Sequence, residues 1–177
     1  MSDWIQRGEP VDTETVLRGW IRREARKDEY PDADPADWER ERLLHELTDS
    51  YEEPAEPVVD DALDWYAVEL DGEELGGIGT FPEPAWDLLS GDGTVAGAVE
   101  QLDDPAVVDD FPGAAEKVDW FADHADSEFG AAVAWQRDDE WPPRLLDGNH
   151  RACGFHRAAR DGNPVSLTVH LGVSSPP

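Results

Sequence analysis

The sequence predicts a mixed α+β domain preceded by a helical hairpin, and three observations carry that prediction. Apolar residues recur at helical spacing twice within the first 50 residues. From Trp65 onward the apparent order is strand, helix, helix, strand, strand, helix, strand, without an internal repeat. Between them, residues 51–60 combine Pro with acids and show no periodicity, as a linker does. The expected organisation is a hairpin over residues 1–50, a linker over 51–60 and the α+β domain over 61–177.

In the hairpin, Asp12 can cap a helix that places Val16, Leu17, Trp20 and Ile21 on one side. Asp34-Pro35 opens a second helix carrying Leu43, Leu44 and Leu47. In the larger unit, WYAVELDG reads as a strand running into an Asp71-Gly72 turn, and GGIGTFPEP as a Gly/Pro-rich connection. Thr94–Leu102 places Val95, Ala98, Val99 and Leu102 on one helical face, and Pro112–His124 starts with Pro and carries Val118, Trp120 and Phe121. GAAVAW and RLLDG, joined by QRDDEWPP, read as an antiparallel hairpin. Asn149–Arg160 is a compact helix stopped by Asp161-Gly162, and Val165, Leu167, Val169 and Leu171 alternate along a final strand.

Composition narrows the function classes. The chain carries 42 Asp+Glu against 14 Lys+Arg, a formal net charge of −28 over 177 residues. Leu, Ile, Val and Phe make up only 36 of the 177 residues, so eight Trp and twenty Ala must supply part of the core. An acidic balance of this kind suits multimolar salt, where charge repulsion is screened to about 3 Å. The overall field repels polyanions, which disfavours nucleic acid and anionic membrane surfaces as partners. Cys153 is the single cysteine, leaving neither an intramolecular disulfide nor a CxxC zinc framework. The longest apolar run, Ala131–Trp135, is far too short to span a bilayer, and the first residues lack an apolar signal core. A soluble cytoplasmic protein is expected.

The segment richest in chemistry is Pro142–Gly172. From Pro143 to Arg160 it holds four Arg and one acid, against a preceding stretch, 43–116, with 21 acids and no Lys or Arg. It places a Gly turn where a strand enters a helix N-terminus. The first N–H groups of a helix lack intrahelical partners, the helix dipole is positive there, and Gly148 lets a ligand approach the backbone. With His150 and Arg151 added, the result is an anion cradle in which a guanidinium takes phosphate through two hydrogen bonds. The same residues also fit a plain turn, an Asn149 cap and charges favourable to a last helical turn. Helical phase puts His156 with Ala152, Phe155 and Ala159, as a packed or capping histidine. His150, Cys153, Gly154 and Arg157 share the other side.

Asp147-Gly148-Asn149-His150-Arg151, followed by a short helix, a Gly stop and a terminal strand, resembles the ParB/sulfiredoxin superfamily, whose members include the ParB-like nuclease domains. The likeness covers about Leu145–Leu171 and, more weakly, Trp65–Leu102. It implies a strand-turn-helix box, Gly-x-(His/Arg)-Arg, that binds nucleotide phosphates. Phosphate would then lie at Gly148, Asn149, His150 and Arg151, with a nucleotide such as ATP, ADP or CTP, or another phosphorylated small molecule, as ligand. In sulfiredoxins the position of Asn149 is the reactive Cys, so reductase activity is not expected, and Cys153 reads as a small neutral residue. Chromosome-partition ParB proteins continue into a helix-turn-helix domain, which is not expected here. The archaeal free-serine kinases carry Asp-Gly-His-His-Arg at this place. By that likeness Asp147 would be a metal-binding or catalytic acid near Mg²⁺, and Glu73 or Glu74 would stand where that branch has a catalytic acid; Glu74 is the candidate retained.

Two functions follow as expectations: Mg²⁺-assisted phosphoryl transfer or nucleotide hydrolysis, or a non-catalytic DNA- or protein-linked adaptor with the N-terminal hairpin as its partner surface. The remaining acids read as solvated surface. Asp103-Asp104, Asp109-Asp110 and Asp138-Asp139 have no metal-loop spacing, and Asp32-Ala33-Asp34 begins like a calcium loop without its Gly and Glu. Arg18, Arg22, Arg23, Arg26 and Lys27 would form a phosphate-tracking helix on a nucleic-acid reading, but read more simply as a charged helix face balancing nearby acids.

Overall fold

The structure, a computed structural model, describes residues 3–25, 35–50, 58, 63–136 and 142–174. It is a mixed α+β fold built on a five-stranded sheet. First in the chain come α1 (Asp3–Arg7), β1 (Glu9–Val11), α2 (Thr13–Ala25), a 3₁₀ turn (Pro35–Asp37) and α3 (Arg40–Ser50). After β2 (Leu63–Asp71) follow α4 (Gly72–Gly76), α5 (Pro84–Ser90), α6 (Val95–Gln101), α7 (Pro105–Asp110) and α8 (Pro112–Asp123). The chain then makes β3 (Ala132–Gln136), β4 (Arg144–Asp147), α9 (Asn149–Arg160) and β5 (Ser166–Ser174).

The strand order is β1-β2-β5-β3-β4, so the final strand is the central one. It runs antiparallel to β2 from Asp71↔Ser166 to Leu63↔Ser174 and parallel to β3 from Ala132↔Val169 to Gln136↔Val173. The alternation read in the sequence is realised: Leu167, Val169 and Leu171 are buried. By register they share a face with Val68, Leu70, Ala132, Ala134 and Leu145, all buried. Alpha-9 covers this face and is itself enclosed by α4, α6 and α8. Gly154 permits the approach of α8, because a Cβ there would come within 2.4 Å of the Phe121 Cβ.

The opposite face carries the row Ala67, His170, Val133, Asp147 across β2, β5, β3 and β4. Alpha-2 lies over it, since Arg23 reaches Asp147 from above. The stripe Val16, Leu17, Trp20 and Ile21 is buried and packs with α3 through Leu43 and Leu47. Asp12 caps α2 as expected, accepting the Thr15 N–H at 2.8 Å.

Several elements differ from expectation. The first 50 residues also contain α1 and β1, and β1 pairs with β2 from Glu9↔Ala67 to Val11↔Trp65, which adds a strand of the main sheet to the expected hairpin. A three-residue strand centred on Pro10 has no alternation of its own and is defined by its partner. Asp71-Gly72 is not a plain turn but the start of α4: Asp71 Oδ1 accepts the Glu74 N–H at 2.8 Å, and Glu74 Oε2 accepts the Asp71 N–H at 3.1 Å. Alpha-5 and α7 each begin with Pro in what reads as connection. The Gly-rich stretch between α4 and α5 runs along β4: the Gly79 N–H donates to Pro143 O and Gly79 O accepts the Leu145 N–H, both at 2.8 Å. The expected linker 51–60 lies outside the described residues apart from Val58, which is buried. Asp32, Asp34, Asp138, Asp139, Arg26 and Lys27 also lie outside them. Among the described residues no helix is long and apolar enough to cross a membrane.

Candidate functional site

The box at the start of α9 is built by β4 and a single glycine. The ladder between β3 and β4 shifts register at Val133/Ala134, which sets Asp147 opposite Val133. Gly148 then turns the chain with φ 94° and ψ 21°, a left-handed conformation. Space is tight as well: a Cβ would lie 2.6 Å from Arg151 Nη2 and 3.0 Å from the Ala132 Cβ. As the residue capping α9, Gly148 brings no side-chain acceptor, and no side-chain cap bond is made there.

The three side chains of the box face different ways. Asn149 is buried and Oδ1 accepts the Phe81 N–H at 2.9 Å, tying the helix start to the Gly79–Phe81 stretch. His150 is half-buried, with its ring edge-on to Trp86 of α5 at 4.9 Å. Arg151 turns beneath Gly148; only 7 % of the residue is exposed, and Nη2 reaches Ala131 O at 3.4 Å and Asp147 Oδ2 at 3.5 Å. Burial pushes its pKa down to about 10, opposed by the Asp147 and Glu24 charges and reinforced by Arg23, so the group stays protonated at neutral pH.

The second partner of Asp147 comes from the N-terminal segment. Arg23 of α2 donates from Nε to Asp147 Oδ2 at 3.0 Å, and its Nη2 stands 3.0 Å from the same oxygen. Gly130 leaves room for this side chain, since a Cβ there would approach the Arg23 Cδ to 3.2 Å. Glu24 beside it is buried, and His170 lies in the same cross-sheet row as Asp147. Glu24 and His170 are the residues that sequence reasoning missed, and Arg23, read there as part of a charged helix face, was not placed at the box. A signal was present, because Arg23 and Glu24 continue the apolar stripe three and four residues beyond Trp20.

Other expected features are placed elsewhere. Glu74 is held in the capping box of α4 and pairs with Arg7. Alpha-4 meets α9 at Phe155, His156 and Ala159, about 10–16 Å along the helix from Gly148. The structure thus brings Arg23 to Asp147 but leaves Glu74 to a separate contact. Two of the four arginines of the expected positive segment are matched by acids from afar: Arg157 by Asp103 and Asp119, and Arg160 by Asp103. His156 is packed, its Nδ1 2.6 Å from Gly72 O. Cys153 is buried and its thiol is pushed up to about 12, so it holds no thiolate at neutral pH.

For Mg²⁺ the donor set at the box is Asp147, whose Oδ2 already lies between two guanidinium groups. Those two positive charges oppose a resident dication, and among the described residues no group of three or more His, Cys, Asp or Glu is placed to hold a metal ion. Two surface hollows, of about 310 and 560 Å³, lie away from the box. Their described linings carry acids such as Glu69 and Glu128, or Asp71 and Glu73, with no Lys, Arg or His, which suits no phosphate. Comparison with known protein families, with curated proteins and with solved structures returned no match.

Proposed function

We propose that this chain binds a phosphate-bearing ligand, a nucleotide or a phosphorylated small molecule, at the first turn of α9. The observation that carries the reading is a helix entered through left-handed Gly148 without a side-chain cap, with the Arg151 guanidinium against that glycine. Backbone donors, the positive end of the helix dipole and a protonated guanidinium then converge at one point. The resemblance of the strand-turn-helix box to the ParB/sulfiredoxin superfamily supports the same ligand class.

The geometry favours binding over phosphoryl transfer. Transfer needs a base close to the acceptor hydroxyl and neutralisation of developing charge. Asp147 is engaged by Arg23 and Arg151, and Glu74 by Arg7 and its own helix cap, so neither carboxylate stands ready as base. Mg²⁺ would arrive as the counter-ion of a nucleotide rather than reside at Asp147.

The test is a thermal-shift panel of ATP, ADP, CTP, GTP and pyrophosphate, with and without Mg²⁺ in concentrated KCl. At least one of them should stabilise the protein, by about 2.7 kcal/mol at 100 times its Kd. Arg151→Lys should reduce that gain, because an ammonium cannot replace the two-pronged guanidinium. A wild type that no phosphate compound stabilises would overturn the reading.

A further inference from the structure

Two arginines from distant parts of the chain converge on one oxygen atom. Arg23 and Asp147 are 124 residues apart in sequence, yet Arg23 Nε and Nη2 both stand 3.0 Å from Asp147 Oδ2, and Arg151 Nη2 approaches the same oxygen at 3.5 Å. The two side chains bring ten N–H donors, five on each guanidinium. Among the described residues the acceptors they contact are few: Asp147 Oδ2 for both, and Ala131 O for Arg151. Arg151 Nε is buried without a hydrogen-bond partner among the described residues, Arg23 Nη2 meets Asp147 Oδ2 as an ion pair without hydrogen-bond geometry, and Arg151 itself is 7 % exposed. Glu24 acts on Arg151 from the α2 side and balances charge there. Donors are therefore in surplus while charge is balanced, and buried donors left unmatched are destabilising.

A tetrahedral oxyanion supplies what this cluster lacks, several acceptor oxygens on one centre. We propose that Arg23 and Arg151 form a two-arginine clamp for a phosphoryl group, with the Asp147 carboxylate as its internal stand-in. The clamp rests on the phosphate-binding reading given above and adds to it a residue outside the box, Arg23. The ligand class is a dianionic phosphoryl group, as in a phosphomonoester or the terminal phosphate of a nucleotide. Asp147 and Arg23 keep 14 % and 13 % of their side chains exposed, and it is from that side that an incoming phosphoryl oxygen would displace the shared oxygen. Asp147 then acts as a gate by competition rather than as a metal ligand or base. Because Arg23 belongs to α2, phosphate held by the clamp also fastens the N-terminal segment to the sheet.

Calorimetric titration of pyrophosphate and inorganic phosphate into the full chain tests this, using wild type, Arg23→Gln, Arg23→Lys and Asp147→Asn, with urea unfolding of each. Arg23→Gln should weaken binding about 10- to 100-fold, the range for one charge-assisted hydrogen bond. Arg23→Lys should fall between, and Asp147→Asn should tighten binding several-fold by removing the competitor. A purely structural ion pair predicts something else: both neutral variants lose stability and neither changes phosphate affinity. If wild type binds phosphate and Arg23→Gln binds it equally, or Asp147→Asn abolishes it while remaining folded, the clamp is wrong and the box reading survives. If wild type binds neither anion nor any nucleotide, both fall. Should Arg23→Gln fail to fold, the opposed effects expected of Arg23→Lys and Asp147→Asn decide the question.

Discussion

Single side chains set the conditions under which the candidate site holds together. His170 lies in the row of Asp147 and under Arg23, and its pKa is pushed down to about 4, chiefly by burial and then by the Arg23 charge. Its folded value is below the ordinary 6.5, so between those values the unfolded chain binds the extra proton. Stability from this group is therefore complete above about pH 6.5 and declines as pH falls towards 4. Urea unfolding at pH 7.5, 6.5, 5.5 and 5 should show a loss of up to about 2 kcal/mol, less where solvent reaches the ring. His170→Gln should flatten that decline, and an unchanged slope would remove the histidine from the account. Asp147, Gly148 and Arg151 are legible in the sequence, because their chemistry and spacing are local. Arg23 and His170 are not, since only the sheet register and the placement of α2 bring them beside Asp147.

Elements connect these residues through their ends more than through their middles. Gly148 is the joint between β4 and α9, and Gly148→Ala faces both a left-handed backbone and a collision with Arg151 and Ala132. A loss of about 1–3 kcal/mol is expected in denaturant unfolding. Gly162→Ala is the matched control, with φ 91° but nothing within 4 Å of the added carbon, and it should lose about 1 kcal/mol or less. Equal losses would mean that backbone strain alone governs the joint. Long elements with their own periodicity, α8, α9 and β5, are readable in advance. Alpha-1, β1, α4, α5 and α7 hold three to seven residues, too few for a period to show. The capping box at Asp71 and Glu74 has a sequence signature, but Asp-Gly carries an equally strong turn signal at the same place.

At the scale of the molecule, a net charge of −28 makes self-repulsion a standing load on the folded state. Raising KCl from 0.1 to 2 M should raise Tm, as screening shortens from about 10 Å to below 3 Å. Exposed pairs such as Arg160–Asp103 should weaken over the same range, and the buried Arg23–Asp147 contact less. A Tm that falls with KCl would refute the reading of the acids as an adaptation to salt. Composition made that inference possible, whereas the order of strands was beyond it, because pairing β5 between β2 and β3 depends on contacts distant in sequence. The sheet's margins carry a further consequence under such salt. One margin is β1, three residues whose central Pro10 has no N–H to give; the other, β4, is flanked by Gly79, which takes the Leu145 N–H. Once charge no longer holds neighbouring copies apart, strand-on-strand joining between molecules depends on free ladder groups at those margins. In concentrated brine, the capacity of this sheet to join with another copy is thus set by the hydrogen-bonding groups left at its edges and not by the acidic coat.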